Sequence, residues 1–149
     1  MVDLPDDFAS HPARDASLAS MRAVESGDRA AWLALFAEDA TVEDPIGPSP
    51  FDPEGLGHHG SEAIAAFYDT VIAPNHAVRF RIVRSHAGGE DEVANVGTIT
   101  TVLPGGSLAV EADVVVCYRV NADGKVVSLR AFWEMDRVRI DEVTTTTPA

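Results

Sequence analysis

The chain reads as an α+β protein in which three N-terminal helices close a cone-shaped, curved antiparallel sheet around a pocket. Three observations predict this. Apolar residues recur at helical spacing in the first half. Long alternating runs rich in Val and Thr fill the second half. A stretch crowded with proline and glycine separates the two. With 149 residues there is room for one domain and a sizeable core. A curved sheet capped by helices leaves one open mouth, and such cones hold mostly apolar pockets with few polar groups.

Each element follows from local chemistry. Residues 1–14 form an acidic lead-in to a single domain at 15–138, and residues 139–149, ending in "TTTTPA", read as a flexible tail. From Asp15 to Ser26, the side chains of Leu18, Met21 and Val24 share a helical face, and Gly27 ends that helix. Asp28 caps a second helix through "RAAWLALFAED", with Trp32, Leu35 and Phe36 as its apolar stripe. "ATVED" is a short strand. Pro45–His59 contains four prolines and three glycines and must be a long loop, of the kind that forms lids or site edges. A third helix spans Ser61–Ile72, with Ile64, Phe67, Tyr68 and Val71 on one face and Pro74 as its stop. Four strands follow as a meander: "AVRFRIVRS", "EVANVGTITTVL", "SLAVEADVVVCYRV" and "KVVSLRAFWEMDRV". The hairpin turn Asn121-Ala122-Asp123-Gly124 joins the last two.

The formal net charge of −13 repels nucleic acid and anionic membrane surfaces, so neither is expected as a partner. A neutral or weakly acidic small molecule in a shielded pocket fits this charge. The single cysteine, Cys117, adjoins the run Val114–Val116 and reads as a structural thiol; no intramolecular disulfide can form, in keeping with a cytoplasmic setting. No apolar stretch is long enough to span a bilayer, and the acidic N-terminus lacks the plan of a signal peptide.

The candidate for chemistry is Asp44, where "ATVED" leaves the strand and meets Pro45. A carboxylate at the edge of an apolar pocket has a raised pKa, because desolvation penalises its charged form, and this suits proton abstraction near neutral pH. His58 and His59 are adjacent and cannot point at one ion, so no metal site is expected. His76 and His86 stand alone. Glu111 and Asp113 alternate with the apolar row Leu108, Val110, Ala112, Val114 and Val116, and are expected to pair with Arg119 or Arg130 on the other sheet face.

The segment "LFAEDATVEDPIG" (35–47) resembles the ketosteroid isomerase (steroid Δ-isomerase) family of the NTF2-like, SnoaL-like superfamily, as do "GSEAIAAFYDTVI" (60–72) and "NADGKVVSLRAFW" (121–133). The likeness covers about residues 15–137. It implies a cone-shaped α+β fold, a homodimer, a steroid-like hydrophobic ligand and isomerisation of a Δ5-3-ketosteroid to its Δ4 form without a cofactor. The family's proton-transferring acid falls on Asp44. Tyr68 matches a tyrosine of the pocket network, and Leu129, Ala131 and Trp133 match its apolar wall. Two donors that hold the dienolate oxygen in the family fall on Ser20 and Val116 here. The family's acid at the second position is kept neutral so that it can donate a hydrogen bond; Val116 cannot. Sliding the strand by three residues would bring Asp113 there, but alternation turns Asp113 to the other face. Three readings stay open: an isomerase using Asp44, a steroid-binding protein without turnover, or another SnoaL-like enzyme such as a polyketide cyclase. An epoxide hydrolase would need an acid after Arg130, where Ala131 stands.

Overall fold

A computed structural model describes residues 1–143. Helix α1 spans Pro12–Ser26, three residues longer at its start than the periodicity predicts. Pro12 suits a first turn, where its missing N–H is no loss, and the His11 ring accepts from the Ala13 N–H. Gly27 closes the helix in the left-handed conformation, φ 70°. Helix α2 covers only Arg29–Ala34, capped by Asp28 accepting from the Ala31 N–H at 3.0 Å. The expected continuation to Asp39 is replaced by strand β1, Phe36–Glu43. Pairing with a distant strand wins over local helix preference here: the Val126 N–H donates to Leu35 O at 2.8 Å, and Lys125 Nζ donates to Ala34 O at 2.7 Å.

After the loop come a two-residue strand β2 (His58–His59), helix α3 (Gly60–Phe67) and one wider π turn over Tyr68–Ile72, closed by the Ala73 N–H on Tyr68 O at 2.9 Å. Strands β3 (Ala77–Gly88), β4 (Glu92–Val102), β5 (Leu108–Val120) and β6 (Val126–Phe132) form the antiparallel meander. The sheet order is β2-β1-β6-β5-β4-β3, and β1 runs parallel to β6 because the chain re-enters the sheet only after the helical layer and the three long strands. The curved, unclosed sheet and its helices form the cone that the sequence predicts.

Residues 2–3 and 139–142 are both tied to the rest of the fold. Val2 packs with Met21 and Ile82, and Asp3 bridges to Arg81 on β3. Residues 139–142 are not the flexible tail that the sequence predicts but form strand β7 (Arg139–Glu142) against the first half of β5. This also corrects the ion pairs. Glu111 and Asp113 are both held by Arg139, at 3.4 and 3.0 Å, rather than by Arg119 or Arg130; Arg130 faces Glu43 at 3.5 Å. Residues 144–149, the rest of that tail, lie outside the described residues.

The core sits where α2, α3 and the sheet meet. Trp32 packs against Phe36 and Tyr68, with ring centroids 4.6 and 5.4 Å apart. No helix among the described residues is long and apolar enough to cross a membrane.

Candidate active site

The cone encloses a cavity of about 600 Å³, within the roughly 300–1,000 Å³ of sites that bury a drug-sized molecule. α1, the π turn and the inner face of β3–β6 form its walls; Phe51 of the long loop, Met135 in the turn after β6 and Ile140 of β7 also line it. Those last three are partly exposed, which places them towards the mouth. Most of the lining is apolar.

Asp44 is positioned by both flanks. Before it, β1 is registered on β6 with Val42 opposite Leu129 and Glu43 opposite Arg130. After it, the Ile46 N–H donates to Ala131 O at 3.0 Å. The Asp44–Pro45 peptide is cis. Two residues beyond Ala131, the Trp133 indole N–H donates to Asp44 Oδ1 at 2.7 Å. Asp44 retains some surface, but it lines the enclosed cavity. Burial pushes its carboxyl up to about 6, against the opposing pull of the Trp133 hydrogen bond, which favours the charged form.

A second polar group lies across the cavity wall. Ser20 Oγ accepts from Trp32 Nε1 at 3.0 Å and lies 2.8 Å from the Tyr118 hydroxyl. An indole N–H only donates, so Ser20 Oγ is an acceptor towards Trp32 and its own proton is free for Tyr118. Either hydroxyl can donate across this contact; when Ser20 donates, the Tyr118 proton is free for the cavity. Burial raises the Tyr118 phenol well above its ordinary value; the Ser20 contact lowers it in part, and the Asp44 charge raises it further. Tyr118 therefore stays protonated, as a hydrogen-bond donor must.

Of the residues singled out from the sequence, Asp44, Ser20, Val116, Leu129 and Trp133 line the cavity. Two do not. Tyr68 is buried in the core against Trp32, and Ala131 is fully buried behind the wall, where its carbonyl anchors the chain after Asp44. The alternation argument for Asp113 holds: Val110, Ala112, Val114 and Val116 face the cavity, while Asp113 bonds Thr98 and Arg139. Sequence reasoning missed Tyr118, Trp32 and Asn95. Tyr118 was within reach, since it stands two residues beyond Val116 on the same strand face. Asn95 is the polar exception among the inward residues of "EVANVGTI", and a buried polar residue in such a row is itself a signal. Trp32 offered no such cue, because a Trp on an apolar helix stripe looks like packing alone.

The SnoaL-like domain family matches residues 18–129. A steroid Δ-isomerase of Nocardioides simplex is 34% identical over 111 residues, 74% of this chain and 80% of the relative. The crystal structure of a Δ5-3-ketosteroid isomerase from a Mycobacterium species superposes with a TM-score of 0.83 at 39% identity, covering 89% of this chain and all of that one. A Mycobacterium tuberculosis protein solved in complex with estradiol-17β-hemisuccinate gives 0.81 at 37% identity, covering 87% of this chain and 99% of that one. The chain thus belongs to the SnoaL-like family and has the NTF2-like cone. Its relatives there include steroid Δ-isomerases.

Proposed function

We propose that this chain binds a ketosteroid-like hydrophobic molecule in the cone and moves its double bond from Δ5 to Δ4, with Asp44 as the proton shuttle. The observation that carries this reading is one carboxyl set on the apolar wall of the cavity with a single indole N–H to orient it. Ionised Asp44 takes the proton from the carbon between ketone and alkene, leaving a dienolate. The resulting carboxylic acid returns that proton to the far end of the dienolate, and the product is the conjugated ketone. Atoms and charge balance without a cofactor. Tyr118, primed by Ser20 and Trp32, supplies a hydrogen bond to the oxygen as charge develops there.

Val116 offers no second donor. Losing one such donor costs roughly 10²–10³ in rate, so turnover below that of a complete isomerase is expected. The same apolar substitution favours a second reading, a steroid-binding protein without turnover. Measuring Δ5-3-ketosteroid turnover beside steroid affinity separates the two. Under the isomerase reading the wild type turns over. Asp44→Asn then loses orders of magnitude in rate with affinity kept or improved, because a buried charge is gone. Tight binding with no turnover in the wild type selects the binder.

The assembly we propose is a homodimer through the outer sheet face. Val96, Val115 and Phe132 lie directly opposite one another across β4, β5 and β6, with Cys117 two residues further along β5. Phe132 is 48% exposed, and an outward apolar row of this kind calls for cover.

A further inference from the structure

Ser17 and Ser20 lie one turn apart on the buried face of α1, and each holds a polar residue of the sheet. Ser20 holds Tyr118, the donor used above. Ser17 holds Asn95, which that reaction does not use. Asn95 on β4 is registered opposite Val116 on β5, and Val93, two residues before it, is opposite Tyr118. Asn95 and Tyr118 are therefore diagonal neighbours on the cavity side, and both line the cavity.

The orientation of the Asn95 amide follows from its partner. Ser17 Oγ donates its one proton to Arg14 O at 2.8 Å, so it can only accept from Asn95. The amide must present nitrogen to it, and Nδ2 donates to Ser17 Oγ at 3.0 Å. Oδ1 is then turned away from Ser17. It is buried and has no partner among the described residues, in a side chain only 1% exposed. Buried polar atoms without a partner are rare in native proteins, so this one, in a residue that lines the cavity, calls for an explanation.

We infer that Asn95 is a ligand-binding acceptor, and that this end of the cavity suits a ligand donating a hydrogen bond there: a hydroxyl-bearing steroid, as phenol, alcohol or enol, in preference to a bare ketone. The inference rests on the steroid reading above and concerns a hydroxyl-bearing steroid held at the same Tyr118 in place of the reacting ketone. A hydroxyl accepts from Tyr118 and donates to Asn95 Oδ1, so both groups are met. A ketone meets Tyr118 and leaves Oδ1 orphaned. A neutral enol of the bound ketone would satisfy both as well, which makes a phenol the apt probe.

The test compares estradiol with its 3-O-methyl ether, which keeps the acceptor and removes the donor, by calorimetric titration. The wild type is expected to bind estradiol at least tenfold more tightly. Asn95→Leu should reduce that preference to about threefold or less by weakening estradiol and sparing the ether. Ser17→Ala removes the hydroxyl that fixes the amide, lets the amide rotate and should narrow the preference without deleting Asn95. It decides the matter if Asn95→Leu does not fold. Equal binding of both steroids by the wild type, or a preference that persists in the folded variants, overturns the inference and leaves the steroid reading standing. Binding of neither steroid by the wild type overturns both.

Discussion

Asp44 carries a charge that its surroundings resist, and this has a consequence for stability as well as chemistry. Its carboxyl titrates near 6 in the folded chain against 3.8 as an ordinary carboxylate. Between those values the folded state binds more protons than the unfolded one, so stability falls as pH rises through the window. The penalty at neutral pH is up to about 3 kcal/mol at roughly 1.4 kcal/mol per pH unit, less where water enters the cavity. Asp44→Asn should therefore be more stable than the wild type at pH 7–8 and equal to it below pH 4. Urea unfolding of both proteins across that range checks this, and a variant less stable at pH 8 contradicts it. At this scale the sequence is uneven in what it discloses. The Glu-Asp-Pro junction announces Asp44 because a carboxylate ending an apolar strand is locally odd. Tyr118 and Trp32 meet at Ser20 across 98 and 12 residues of chain, and no local pattern records such a meeting.

Strands and helices were largely legible, since hydrophobic periodicity is a local property. The misread elements are those decided by remote partners. Phe36–Asp39 has a helical composition but becomes strand because β6 receives it, with Phe36 opposite Val126. β7 is too short to announce itself, and exists as an extension of the sheet along the part of β5 that β6 leaves free. Curvature also has a specific origin. The β3–β4 ladder shifts register between Ile82 and Arg84, and Gly97 sits opposite Ile82 at that irregularity. A Cβ on Gly97 would lie 1.9 Å from the Arg81 carbonyl oxygen. That is an impossible contact with backbone, so the strands must move apart. Gly97→Ala is expected to lower stability by about 1–3 kcal/mol or more. Chemical denaturation reads the loss directly, and a change within about 0.5 kcal/mol would show that the two strands yield at no cost.

The whole molecule combines a net charge of −13 with an apolar interior cavity and an apolar outer row. Charge of this size keeps copies apart unless a complementary patch draws them together. Arg130 lies 5.7 Å from the Phe132 ring centroid, and the Arg139 pair with Glu111 and Asp113 supplies mixed charge on the outer face. A dimer mass in sedimentation at micromolar concentration is expected, and Phe132→Asp should shift it to monomer. A wild type that stays monomeric at 100 µM would count against this face as an interface. The cone itself was legible from element order, helices then strands. The volume it encloses was not, because a cavity depends on how far apart the packed layers settle.

The central claim is that Asp44 is the base of a steroid isomerisation, and the pH dependence of kcat/KM for a Δ5-3-ketosteroid tests it most directly. The base works only when ionised, so the rate should rise with pH, inflect near 6 and level off above 7. In Asp44→Asn the inflection should vanish together with most of the rate. Turnover that is flat through pH 6, or that survives in purified Asp44→Asn, would contradict the claim.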